Sequence, residues 1–463
     1  MGDGDTIELV INGDLIDFLA EEPFVPFTKQ ATEAIEKLER IIQNCDRGSK
    51  EEESVFPALA EFVGLGNKLT VLLGNHDIEL SLPAVRRSLA SALTGGRPAR
   101  VEFVFDGEAY VIRDVLIEHG NRYDGWNAVE YGALRAYRSS VSRGEEPFPF
   151  QPPAGSRLVA SIMNPLKRRY PFVDILKPEN EAVLPILCAL EPKLVLELKR
   201  VAPLWLAMLR TSGKLGRVKR EETFIASGMP AALPATEASG AVLEPARTPD
   251  NPNREHTFRS TNEILDEAGR LADETLPQEP RGRVPPGTGQ IAVGVPAWLS
   301  SGLGLWDAVR AGAAATRSRL LSRALRAQRE AIGTTFDLDA KDSPYFSAAE
   351  RLHAAAGARF VLFGHTHLAK SIALPSHGRY VNTGTWCPTM RLPPEFYEEE
   401  PSEKTLEGLT QFIMDLADNK IAHWTELKTF YGHIRLPQDG PTRVDLCEVK
   451  PDGAIKVHPG EPS

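Results

Sequence analysis

The stretch LTVLLGNHD, residues Leu69–Asp77, sets a short apolar run before a glycine and three side chains that offer oxygen or nitrogen donors. A run of that length bounded by glycine reads as a buried strand rather than a helix. The same grammar recurs four times. IELVI precedes Asn12-Gly13-Asp14, and VLI precedes Glu118-His119-Gly120. FVLF precedes Gly364-His365-Thr366-His367, and Tyr380-Val381 precedes Asn382-Thr383-Gly384-Thr385-Trp386. Helical patterns fall between several of these runs, at Thr28–Asn44 and at Ser347–Ala356. The second opens on a capping-box pattern, Ser347 to Glu350, and stops at Gly357. Strands alternating with helices imply an α/β layered fold. In such folds the loops at the carboxyl ends of strands converge on one rim, where ligands collect. All five polar clusters follow a strand.

Residue by residue, these clusters stay open to plainer readings. Asp14 could cap a helix after its strand. Asn75-His76 could be turn residues, and His119 a hydrogen-bonded rim histidine. His365 and His367 are harder to read that way, because two imidazoles on one side of an extended segment suit a metal cluster. Together the clusters supply carboxylate, imidazole and amide donors from several strand ends, a set that suits divalent metals. Hydrolysis of a phosphate ester uses such a set, since two metal ions roughly 3.5–4 Å apart supply a nucleophile and steady the phosphoryl oxygens.

In order, the clusters resemble the motif series of the calcineurin-like metallophosphoesterase superfamily, which runs D-x-H, G-D-x-x-D, G-N-H-D/E, a lone H before G, and G-H-x-H. The last four match Gly13-Asp14-Leu15-Ile16-Asp17, Gly74-Asn75-His76-Asp77, His119-Gly120 and Gly364-His365-Thr366-His367. The resemblance spans about residues 6 to 125 and 345 to 390. It implies a layered β-sandwich flanked by helices. It further implies that Asp14 bridges two metals, that Asn75, His119 and His365 bind the second, and that His367 binds the first. His76, oriented by Asp17, would serve the leaving group. The implied cofactors are two divalent ions, Mn²⁺, Fe or Zn²⁺, with Mn²⁺ the first choice for mixed oxygen and nitrogen donors. The implied activity is hydrolysis of a phosphodiester, a nucleotide pyrophosphate or a phosphomonoester by a metal-bound hydroxide.

One motif is not found. Only 11 residues precede Asn12, and no histidine occurs before His76. The expectation is that the chain begins after a D-x-H strand and exposes the sheet edge that strand would cover. A catalytically incomplete protein that binds phosphate or a partner through the same rim is the alternative.

The segments His119 to Asp124 and Tyr380 to Trp386 resemble the bacterial branch of the superfamily, which includes UDP-diacylglucosamine pyrophosphohydrolases. Those enzymes hold acyl chains under a helical insertion, which implies a phosphorylated small-molecule or lipid-linked substrate. Asp17-Phe18 stands where protein phosphatases of the eukaryotic type have Asp-Arg-Gly.

The separation of 246 positions from His119 to His365 is too long for a simple connection. The expected domain plan has catalytic halves at 1–145 and 341–463, separated by a mainly helical insertion at 146–340. A segment rich in Pro, Ala, Thr and Gly near 226–286 reads as disordered. Leu184, Ile186, Leu187, Leu204, Trp205 and Leu209 make the insertion apolar, either to meet a lipid or to pack its own helical hairpin. Its basic residues, among them Lys167, Arg168 and Arg169, leave a peripheral membrane contact open. Beyond Trp386, a helix is expected over Glu403–Asn419, and then a hairpin turning at Pro451-Asp452-Gly453.

A net charge of −10 argues against a nucleic-acid partner. Four scattered cysteines suggest neither a disulfide framework nor a thiolate zinc site. No signal peptide is read at the start and no uncharged run approaches the ~20 residues of a membrane span, so the expected location is cytoplasmic. Oligomeric state leaves no mark in the sequence.

Overall fold

The computed structural model describes residues 7–47, 54–125, 127–164, 170–175, 337–341, 344–398 and 400–458, with positions 167, 318, 321, 322 and 325. The apolar helices, most of the basic run and the Pro/Ala-rich segment expected within the insertion lie outside these residues.

Strand β1 (Glu8–Asn12) pairs in parallel with β2 (Lys68–Leu72), and β2 pairs in parallel with β3 (Arg100–Val104). Helices α1 (Ala31–Arg47) and α2 (Val55–Gly64) make the first crossover, and α3 (Pro83–Thr94) the second. The alternation of β2 sends Leu69 and Val71 into a core with Leu38, Leu59, Val63 and Leu89 of these helices. Leu72 falls in a different core. Apolar residues at 34, 35, 38, 41 and 42 give α1 the stripe that faces this sheet. Among the described residues β1 pairs only with β2, and its Leu9 is exposed, as is Ile7 just before it.

A second sheet runs β4 (Tyr110–Ile112), β5 (Val115–Ile117), β6 (Phe360–Phe363), β8 (Gly378–Thr383), β7 (Ala369–Leu374). Strands β5 and β6 are parallel, with Val115 opposite Phe360 and Ile117 opposite Leu362. One face of this sheet buries Val361, Phe363 and Tyr380 against Phe346, Ala349 and Leu352 of α6 (Tyr345–Ala356). The other face buries Val115, Ile117, Leu362 and Val381 with Leu72 of β2. Phe430, Val444 and Leu446 join that second core from a third, antiparallel sheet of β11 (Thr429–Arg435), β12 (Arg443–Val449) and β13 (Ile455–His458).

Helix α7 (Glu403–Ala417) starts where Ser402 accepts the Thr405 N–H at 3.1 Å, a side-chain N-cap. Its Leu409, Phe412 and Leu416 share a core with Tyr170, Phe172, Leu321 and Leu325. The described residues of the expected insertion therefore complete a core with a C-terminal helix. Helices α4 (Tyr131–Ser142) and α5 (Ala154–Leu158), with β9 (Thr389–Met390) pairing β10 (Thr425–Glu426), complete a mixed α/β fold of several sheets. No helix among the described residues is long and apolar enough to cross a membrane.

Three local expectations need correction. Helix α1 begins at Ala31, three residues later than its pattern suggests. The Ser347 capping box does not form, because α6 starts at Tyr345 and Ser347 lies inside it. Burial of Phe346 extends that helix upstream. No helix follows Asp14: the Phe18 N–H binds the His76 carbonyl at 3.2 Å, which pins this segment to a neighbouring loop.

Candidate metal centre

Parallel strands in register deliver their C-terminal loops to one place. Asp14 stands two residues past β1, Asn75 three past β2, His119 two past β5 and His365 two past β6. Asp14 Oδ2 lies 3.0 Å from His119 Nε2, and Asn75 Oδ1 lies 3.2 Å from the same nitrogen. Donor atoms of Asp14, His119 and His365 all fall within 4.8 Å of one another. The rings of His119 and His365 meet edge to face at 5.2 Å.

The tautomer of His119 follows from its other nitrogen. Nδ1 sits 2.7 Å from the Asn12 carbonyl oxygen, which can only accept, so Nδ1 carries a proton. In the neutral ring Nε2 is then a lone pair, facing a carboxylate and an amide oxygen. Three acceptors converge with no hydrogen among them, and either a second ring proton or a cation must resolve that. Nearby Asn12 Oδ1 is buried without a partner.

Charge prepares the group that a cation needs most. Burial pushes the Asp14 carboxyl up, but the charges of His119 and His76 and hydrogen bonds from both hold it well below the ordinary range. Burial likewise depresses His119, and the Asp14 carboxylate more than offsets it, so the imidazole is raised. A cation held in this gap would have to displace a proton from it. One carboxylate, two imidazoles and an amide oxygen fit Mn²⁺, Fe or Zn²⁺ better than an all-oxygen calcium cage or a thiolate site.

Close backbone approach requires the two glycines. A Cβ at Gly74 would overlap Asp14 Oδ1, and one at Gly13 would overlap the His119 ring. Asp14, His365 and His367 all adopt left-handed backbone, with φ of 53°, 65° and 60°. Such residues cost roughly 1–3 kcal/mol each and persist where surrounding bonds over-determine them. At Asp14 those bonds come from the His76 N–H to Oδ1 at 2.8 Å and from Asp77. Asp77 is fully buried and accepts the N–H groups of Leu15 at 3.0 Å and Gly74 at 2.6 Å, tying the two loops together. Burial, then the negative charge of Asp14, pushes its carboxyl up to about 7.

The histidine loop after β6 is held by fully buried Asn382. Its Nδ2 donates to the Gly364 carbonyl at 2.7 Å and to Thr366 Oγ1 at 3.1 Å, while its Oδ1 accepts the Gly384 N–H at 2.9 Å. Asn382→Ala is expected to lower unfolding stability by about 1–3 kcal/mol, read from urea melts, because it strands buried partners. The same variant should raise the Mn²⁺ concentration needed for half-saturation.

Of the residues expected from the sequence, Asp14, Asn75, His119 and His365 come together. His76 lies alongside, with Nδ1 3.0 Å from Asp17 Oδ1. His367 is not in the cluster; it lines a separate cavity between its own loop and the third sheet. Asp124, given no role from the sequence, places Oδ2 3.2 Å from His365 Nε2 and is itself held by Asn127 Nδ2 at 2.7 Å. Its signal was its place at the end of the His119 to Asp124 segment, an acidic side chain in the turn that follows His119. Comparison of the chain with protein-family models, with curated proteins and with solved structures gave no match.

Proposed function

We propose that this protein is a metal-dependent phosphoesterase of the calcineurin-like type, acting on a phosphodiester, a nucleotide pyrophosphate or a phosphomonoester. The observation that carries the reading is the convergence of Asp14, Asn75 and His365 on Nε2 of His119. A sandwich-type layering with a helical insertion, a phosphorylated small-molecule or lipid-linked substrate and a cytoplasmic setting belong to the same proposal. Divalent cations held there would neutralise the phosphoryl oxygens and make a water nucleophilic near neutral pH.

The chain's own residues supply the rest. Nδ1 of His76 donates to Asp17, which leaves Nε2 as the ring nitrogen able to serve a leaving oxygen. Burial tends to raise the Asp17 carboxyl, and the charge and hydrogen bond of His76 bring it below its ordinary value. Asp17 therefore stays ionised through the neutral range and fixes the imidazole's tautomer. Its side chain is 45% exposed, so the pair adds little stability and serves orientation.

The test is hydrolysis of bis-p-nitrophenyl phosphate by the full chain with Mn²⁺, and with EDTA as control. Asp17→Asn is expected to lower kcat about 10-fold, as loss of a ring-orienting partner does, with Mn²⁺ affinity unchanged. Full activity in EDTA would refute the reading. The cluster's single carboxylate and the position of His367 outside it favour a second reading, a one-cation binding protein without turnover. Stoichiometric Mn²⁺ binding with no hydrolysis of any phosphoester would select it.

A further inference from the structure

His367 leads away from the cluster into a cavity of about 220 Å³, walled by the loop after β6, the loop after β8 and the third sheet. Four of its lining residues are basic: Arg391, Lys428, Lys450 and Lys456. Carboxylates answer them only in part. Glu426 meets Arg391 at 3.0 Å and Lys428 at 2.8 Å, so one carboxylate is shared by two cations. Glu448, buried in the cavity wall, meets Lys450 at 2.6 Å. Lys456 has no carboxylate partner among the described residues. Four cations against two carboxylates leave a positive excess, in a protein whose net charge is −10. Cations gathered in a concavity against the overall charge raise the local concentration of anions.

Size and position narrow the ligand. Small-molecule clefts run to roughly 300–1,000 Å³, so a smaller cavity takes part of a ligand. His367 in its wall and His365 in the cluster are two residues apart on one loop, which puts their Cα atoms within about 7 Å. Apart from His367, Gly384 and Thr385, most of the wall lies outside the motif-bearing segments, in β11 to β13 and the residues before them. Arg and Lys together give the planar and point-charge donors that bind phosphoryl oxygens.

We infer that this cavity is an anion subsite, taking a phosphoryl group that the substrate carries next to the phosphoester under attack. The inference rests on the phosphoesterase reading for the word substrate, and on the cavity alone for the binding of the anion. A substrate with two adjacent phosphoryl groups would place one at the cluster and one against Lys428, Lys450 and Lys456.

The experiment titrates inorganic pyrophosphate into the full chain in EDTA by calorimetry. The variants compared are Lys428→Gln/Lys456→Gln and His119→Ala. Binding by the parent chain and by His119→Ala, weakened at least 10-fold in the double lysine variant, is the expected result. The lysine variant is also expected to raise KM for a nucleoside-diphosphate ester by a similar factor, with the bis-p-nitrophenyl phosphate rate unchanged. Pyrophosphate binding that is absent, or unaffected by the lysine changes, would overturn the subsite. Lysine-dependent binding in a protein that hydrolyses no phosphoester would uphold the anion site and refute the catalytic reading instead.

Discussion

His119→Ala is expected to weaken Mn²⁺ binding by more than about 100-fold and to remove metal-dependent phosphodiester hydrolysis. Partners that merely orient a ligand are worth about 10–100-fold in affinity, and a ligand lost outright should exceed that. The case rests on His119 being the hub: its Nε2 is the atom that both Asp14 Oδ2 and Asn75 Oδ1 face, at 3.0 and 3.2 Å. Calorimetric titration with Mn²⁺ reads the loss directly. His433→Ala, which changes an exposed histidine on β11, should leave binding as it was. Equal Mn²⁺ binding by His119→Ala and the parent chain would remove the proposed centre.

The second large effect concerns stability. Glu79 is fully buried just past the Asn75-His76 loop, accepts the Thr28 N–H at 2.7 Å through Oε1, and has no partner at Oε2. Burial pushes its carboxyl up from 4.5 to about 7, and the charge of Lys37 opposes this only in part. A raised acid holds in the folded state a proton that the unfolded chain has released. Its contribution is therefore complete below about pH 4.5 and is lost as pH rises through 7. The shift corresponds to about 3 kcal/mol. Glu79→Gln keeps the bond from Thr28 and removes the ionisation. In urea unfolding it should match the parent near pH 5 and exceed it by about 3 kcal/mol near pH 8. An unchanged difference between the two pH values would show that Glu79 titrates normally.

Much of the scaffold was legible in short patterns. Five apolar runs ending in polar, donor-bearing clusters became β1, β2, β5, β6 and β8, because strands that pack in parallel inside a layered fold need apolar residues. Helix α7 was legible as a helix over Glu403–Asn419, and the β12–β13 hairpin from Pro451-Asp452-Gly453, which acts through local backbone geometry. Strands β3, β4 and β7 were missed, since short half-exposed runs such as RVEFV and AKSIAL lack that signature. The Ser347 pattern misled because a cap depends on where tertiary burial lets the helix begin, and Phe346 moved that point.

By itself the sequence determined which residue types follow each strand, and so the chemical kind of the centre: one carboxylate, one amide and imidazoles at strand ends. Only the tertiary structure decided which of them meet. His119 and His365 are 246 positions apart, and they touch because β5 and β6 pair in parallel, with each histidine two residues past its strand. His367 shares a motif with His365 yet faces a lysine-lined cavity, and Asp124 reaches His365 although the segment that carries it gave it no role. Spacing along a chain sets which loop a side chain rides on; the loop's left-handed turns and the sheet that packs against it set where it points.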